Sequence, residues 1–373
     1  MLEIIARPGL EGVIAAETRL SDVDGQAGQL LLAGYPVEEI APRLSFEALV
    51  FLLWQDRLPQ DDEETALRAA LAQQRALPPV AGPLLQAAAA QAIPVMDTLR
   101  MVAGTLNLTL AQADSLTAAR GLVAAFPTIV AAAWRLRQGL AVIPPDPALS
   151  HAANYLYMLT GSVPEAAQVR ALETYLNTVS DHSLNASTFT GRVIASTGSD
   201  MISAVVGALG ALKGPLHGGA PGPALDMVFE IGHIDRAEAV LRRKLEAREV
   251  LMGFGHRVYK VRDPRADVLN TAAQRFFAAG AAADLYQLAR QVEAVALRLL
   301  EEYKPGRSLQ TNVEFYTALL LHGIGLPVEL FTPTFAVGRV AGWTAHILEQ
   351  QQHGRIIRPL AAYTGRRDRH LEA

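Results

Sequence analysis

Along most of the chain, apolar residues recur every three or four positions. In ADLYQLARQVEAVALRLLEEYKPG, Leu285, Leu288, Val292, Val295 and Leu299 form one stripe on a helix, which Pro305 and Gly306 stop. Ser162 and Glu165 stand in capping-box spacing, with Pro164 suited to a first turn. Asp200 is a plausible N-cap for a helix closing at Lys213 and Gly214. Further helices are expected from Pro264 and from Thr332-Pro333, and alanine-rich segments fill 64 to 136. Strand signals are confined to residues 11–34, where an Asp24-Gly25 turn between extended flanks predicts a small hairpin. The fold class is therefore mainly α. Glycine-proline clusters at 214–223 and 304–307 bracket a segment that reads as a smaller lobe, and no fixed-period repeat is present.

Composition narrows this picture. A chain of 373 residues, 50% hydrophobic and 19% charged, has material for two domains, or for one with a second lobe. The formal net charge of −4 gives no electrostatic case for nucleic acid or an anionic membrane surface. The densest basic cluster, GRRDRH at 365–370, reads as a solvated tail. The absence of cysteine excludes disulfides, thiolate nucleophiles and cysteine-ligated zinc. Glu3 and the lack of a long apolar core speak against a signal peptide. The most apolar run, GLVAAFPTIVAAAW at 121–134, is short, holds a proline and is followed by arginines. A soluble, cytoplasmic protein is expected.

Three clusters combine glycine with ionisable groups. In KGPLHGGAPG, proline and paired glycines fix the backbone around His217 and admit a ligand; the alternative is a loop histidine that caps a helix. LMGFGHRVYKVRDPRAD carries His256, Arg257, Lys260, Arg262 and Arg265. Its Gly253-x-Gly255 lacks the third glycine of a dinucleotide fingerprint. Cations and glycine amides suit carboxylates or phosphates, although such runs are also ordinary solvated loops. In LQTNVEFYTALLLHGIG, Glu314 follows Asn312 and opens an apolar run. It reads either as a helix-start acid favoured by the dipole or as a general base of raised pKa. Arg339, inside the apolar TFAVGRVAGWTAHIL, needs an anionic partner. His182 precedes a run of small hydroxyl residues, and Arg358 ends GRIIRP. Metal-ligand spacing is absent. Scattered histidines, one acid and arginines suit acid–base chemistry on a small polycarboxylate.

These clusters, in this order, resemble the citrate synthase family. GPLHGGA, MGFGHRVYKVRDPRA, TNVEFYTALLL, FTPTFAVGRVAGWTAHILEQ and the N-terminal GLEGVIAAETRLSDVDGQAGQLLLAGY all carry the likeness, over about residues 9 to 363. The resemblance implies a homodimer of almost all-helical subunits. A large domain would comprise 1–219 and 326–373, a small one 220–325, with a cleft closing on oxaloacetate. It implies condensation of acetyl-CoA with oxaloacetate, without metal or bound cofactor. His217 would hydrogen-bond the thioester oxygen, Glu314 would take the methyl proton, and His256 would polarise the oxaloacetate carbonyl. His182, Arg265 and Arg339 match oxaloacetate-binding positions, and Arg358 one that reaches in from the partner subunit. Gly253, Gly255, Lys260 and Arg307 fall on the CoA side. His151 and His346 are expected to be structural. The family usually has aspartate where this chain has Glu314. Two alternatives follow: a 2-methylcitrate synthase using propionyl-CoA, and a catalytically weak paralogue that binds CoA esters or oxaloacetate.

Overall fold

The computed structural model describes residues 7–218, 221–256, 258–278, 283–307, 309–367 and 369–370; Arg257, noted above, lies outside them. The chain is mainly helical, with one small antiparallel sheet of order β1 (Ser21–Asp24), β2 (Gln29–Leu32), β3 (Tyr35–Pro36). Ser21 pairs with Leu32 and Asp24 with Gln29, so the connection runs from Gly25 to Gly28 and is longer than a two-residue Asp-Gly turn. The Asp24 carboxylate holds it by accepting the Gln26 and Ala27 N–H groups at 2.9 and 2.8 Å. Leu30 and Leu32 point inward from β2 and share a small core with Val37, Leu49, Leu52 and Val268.

The main core is built round helix Ser115–Arg137. Asp114 caps its start by accepting the Thr117 N–H at 2.9 Å. This helix is long and apolar enough to cross a membrane, but 83% of its apolar window is buried inside the protein. Helices Ala81–Ala90, Val95–Thr105, His151–Thr160 and Phe331–His353 pack around it. A helix apolar on all sides is what such a central position requires.

Helix Met201–Leu212 begins at Asp200 as the sequence predicts, with the Asp200 carboxylate accepting the Ser203 N–H at 2.8 Å. Helix Ala166–Val179 starts later than its predicted signal. Its capping box uses Glu165 and Gln168, not Ser162 and Glu165, which leaves Pro164 outside the helix, where its missing N–H costs nothing. In helix Ala283–Tyr303 the fully buried line is Tyr286, Ala289, Val292, Ala296 and Leu299. Leu285, Leu288 and Val295 sit on its half-buried flank. Small alanines let the neighbouring helices approach, so the face of closest packing is rotated away from the bulkiest residues. The same helix buries Glu293, a polar position the apolar stripe gives no reason to expect.

Candidate active site

Glu314 lies in the first turn of helix Val313–Gly323. Asn312 is the N-cap, and its Oδ1 accepts the Glu314 N–H at 3.0 Å. The asparagine also donates from Nδ2 to the Gly255 carbonyl at 2.8 Å. Phe254 bridges Thr311, the Gly255 N–H donates to Gln310 O at 2.7 Å, and the Asn312 N–H donates to Gly253 O at 2.9 Å. A short backbone ladder thus joins the His256 loop to the start of the Glu314 helix. Gly253 and Gly255 have φ of +89° and +82°, and a Cβ on Gly253 would press on Phe315. Glycine is therefore required at Gly253 on both conformational and steric grounds.

Two buried carboxylates brace this ladder. Asp263 clamps Arg265, accepting from Nε at 3.0 Å and from Nη2 at 2.8 Å, and its Oδ2 also takes the Val313 N–H at 3.3 Å. Glu293 accepts from Thr311 Oγ1 at 2.6 Å, Tyr316 OH at 2.5 Å, Arg290 at 2.7 Å and Arg262 at 3.1 Å. A buried carboxylate with this many donors fixes geometry because every alternative arrangement leaves a charge unpaired.

The tautomer of His256 follows from its neighbours. Nδ1 accepts the N–H groups of Val258 and Tyr259 at 3.0 and 3.1 Å, so the neutral ring carries its proton on Nε2. Arg265 Nη2 lies 3.3 Å from that Nε2. Both are donors, so they do not satisfy each other; they converge on a position suited to one shared acceptor. His182 joins the group through Nε2 to Tyr259 OH at 3.1 Å, with its ring 5.9 Å from that of His256.

His217 stands in a turn where its N–H donates to Gly214 O at 2.9 Å. Thr332 Oγ1 donates to the Gly218 carbonyl at 2.6 Å and ties that turn to helix Phe331–His353. The His217 Nε2 meets Ser187 Oγ at 2.8 Å; the same hydroxyl accepts from Trp343 Nε1 at 3.0 Å and has Asn185 Oδ1 at 2.8 Å. Ser187 therefore has one proton and two acceptors facing it. The hydroxyl's choice between them sets which nitrogen of His217 is protonated.

Arg339 is 1% exposed in the middle of its helix. Nε donates to Val179 O at 2.5 Å and the guanidinium lies over the Phe335 ring at 4.5 Å. Among the described residues it has no ion pair with a carboxylate. Burial pulls its pKa down to about 10. A buried cation without a partner costs several kcal/mol, on the order of the penalty for an isolated ion, unless an anion arrives.

Burial also sets the acids and bases. It pushes Glu314 up to about 7, against the pull of Arg265, while Asp263 adds to the rise. His217 and His256 are pushed down to about 4 by burial, reinforced by Arg339 and Arg265 respectively. His182 is held well below its usual value for the same reasons. Burial works against the Arg265 charge, but Asp263 outweighs it. Near neutral pH the site thus offers a carboxyl poised to exchange a proton, three neutral imidazoles and two arginines. That set suits proton abstraction next to a carbonyl in a molecule bearing carboxylates.

A model of the family described as "Citrate synthase, C-terminal domain" matches residues 9–360. The chain belongs to the citrate synthase family. It is 39% identical over 368 residues to a citrate synthase of Deinococcus radiodurans, covering 97% of this chain and 96% of that one. It is 38% identical over 372 residues to a 2-methylcitrate synthase of Mycobacterium tuberculosis, covering 98% and 92%. The citrate synthase of Thermoplasma acidophilum, solved as a ternary complex with carboxymethyl coenzyme A and oxaloacetate, superposes with a TM-score of 0.88 at 28% identity over 98% of each chain. Citrate synthases are acyltransferase-type enzymes.

Of the residues singled out in the sequence, the fold gathers His182, His217, His256, Arg265, Glu314 and Arg339, with the Arg339 charge acting on His182, His217 and Glu314. Gly255, His256, Lys260 and Arg307 line an adjoining pocket of about 220 Å³. Arg358 stands apart. It is exposed and lines a groove of about 840 Å³ with the N-terminal segment, Arg192 and Glu349. His151 and His346 are buried, His346 between Asp181 at 3.1 Å and Arg192 at 3.1 Å. Sequence reading missed Asp263, Tyr259, Ser187 and Glu293. The first had a signal in Asp-Pro-Arg, an acid beside a candidate ligand arginine; the others are ordinary residues whose role comes from tertiary contact.

Proposed function

We propose that this chain condenses acetyl-CoA with oxaloacetate to give citrate and CoA. The observation that carries this reading is Glu314, poised near 7, beside neutral histidines and Arg339, which has no carboxylate partner among the described residues. Glu314 takes a proton from the thioester methyl group while His217 hydrogen-bonds the carbonyl oxygen as it gains enol character. The Nε2–H of His256 donates to the ketone oxygen of oxaloacetate and polarises it. Arg265, Arg339 and His182 hold its carboxylates. The enol carbon attacks the ketone carbon, and water then cleaves the citryl thioester to release CoA. Gly253, Gly255, Lys260 and Arg307 bind the CoA side.

In this reading residues 220–325 form the small domain, and no metal or bound cofactor takes part. The subunits pair as a homodimer, with Arg358 completing the partner's site, which accounts for its position away from the site in its own chain. The enzyme works in the cytoplasm at the entry of the tricarboxylic acid cycle. A CoA-release assay with oxaloacetate tests the reading; turnover with acetyl-CoA supports it, and none with any acyl-CoA rejects it.

A second reading, 2-methylcitrate synthesis from propionyl-CoA, is favoured by the relative of that name at 38% identity. One methylene in an apolar pocket discriminates by only about 1–3 kcal/mol. A higher kcat/KM for propionyl-CoA than for acetyl-CoA would decide for it.

A further inference from the structure

One buried group beside the site is unused by this mechanism. Tyr175 lies on helix Ala166–Val179 and is fully buried, yet its hydroxyl has no hydrogen-bond partner among the described residues. Its helix packs on the three helices that carry Arg265, Glu314 and Arg339, and on helix His151–Thr160, which carries Tyr155. Those four side chains are the ionisable groups whose charges act on the phenol. Tyr155 already has its own partner, Thr334 Oγ1 at 2.9 Å. The two arginines are donors and cannot receive the Tyr175 proton. Glu314 is the one carboxylate among the four, and it also makes no side-chain hydrogen bond among the described residues.

An unpaired buried hydroxyl is a cost that folding alone does not explain, because phenylalanine would fill the same space without it. Burial first, and the Glu314 charge second, hold the Tyr175 phenol well above its ordinary value, so it stays protonated and remains a donor throughout the working range.

We propose that Tyr175 is a positioning residue for the catalytic base, its hydroxyl donating to the Glu314 carboxylate when the substrates close the site. The inference rests on the reading of Glu314 as that base. It also gives the longer side chain a reason. Glutamate has one more rotatable bond than aspartate, and a hydrogen bond to one carboxylate oxygen restrains that freedom while the other oxygen faces the methyl group.

The test is Tyr175→Phe, compared with wild type in CoA release, oxaloacetate binding and thermal unfolding. Removal of an unpartnered hydroxyl leaves Tm unchanged or raised. Loss of a hydrogen bond to a charged group lowers kcat by about tenfold to a hundredfold, with oxaloacetate affinity within about threefold, a difference too small to reflect a lost charge-assisted bond. A donor stabilises the ionised carboxylate, so its loss raises the pKa of Glu314 in the complex. The acid limb of kcat therefore moves to higher pH in the variant, while that of kcat/KM, which reports the free enzyme, stays in place. A purely structural role would lower Tm and leave both limbs unmoved. A fall in kcat with an unmoved acid limb would assign the hydroxyl to substrate, and wild-type kcat would leave it no role; either overturns the proposal. A wild-type chain that releases no CoA overturns the reading of Glu314 itself.

Discussion

Glu314 and Glu173 are both carboxyls pushed up to about 7, yet their consequences differ. In the proposed mechanism the Glu314 shift serves chemistry. His217 and His256 are already neutral above pH 5, so the acid limb of kcat/KM belongs to Glu314 and falls near pH 7; a limb near pH 4 would contradict this. Glu314→Gln abolishes condensation but leaves oxaloacetate binding measurable by calorimetry. Glu314→Asp withdraws the carboxylate by about one C–C bond, 1.5 Å, and lowers kcat by about a hundredfold; a rise would mean that the native reach is suboptimal. Glu173 is buried beside Arg170 at 3.3 Å, and its shift comes from burial. Its folded pKa lies above the unfolded value, so it adds no penalty below about pH 4.5, where both states are protonated, and a growing one up to about pH 7. Glu173→Gln therefore raises Tm at pH 8 relative to wild type, and by much less at pH 4. An equal effect at both values would show that the carboxyl titrates normally.

At the scale of elements, the placement of His182 depends on a helix it does not belong to. A Cβ on Gly342, in helix Phe331–His353, would overlap the Ser180 carbonyl oxygen and crowd Asp181. The Gly342 N–H also donates to that oxygen at 3.2 Å. Gly342→Ala is expected to cost about 1–3 kcal/mol by overpacking and to raise KM for oxaloacetate, because the segment that shifts carries His182. A variant with lower Tm and unchanged KM would separate packing from positioning. Helix positions were well marked in the sequence by Asp200, by Pro264 and by the apolar period, since those signals act within one turn. The Ala166–Val179 box and the rotation of the Ala283–Tyr303 stripe were not, because proline placement and small neighbouring residues act through packing. The same limit applies to the site. His217, His256 and Glu314 stood out as ionisable residues among glycines or apolar neighbours. Glu293 and Tyr175 looked like ordinary helix residues, and only the elements packed against them give them a task.

For the whole molecule, the position of Arg358 makes a testable claim about assembly. A chain in which Arg358 served its own site would gain nothing from mixing two inactive variants. If it completes the partner's site, co-refolding Arg358→Ala with Glu314→Gln restores activity. Each mixed dimer then has one intact site, and random pairing gives about a quarter of wild-type turnover; no recovery in mixtures shown to form mixed dimers would place Arg358 elsewhere. The ladder from Gly253–Gly255 to Gln310–Asn312 has its own consequence at this scale. It puts the residue assigned to activate the electrophile and the residue assigned to create the nucleophile on one rigid mount. Any rearrangement that presents His256 to the ketone presents Glu314 to the methyl group in the same movement. In the proposed mechanism the two halves of the reaction are thereby synchronised, and no carbanion need wait, exposed to water, for its partner to be made ready.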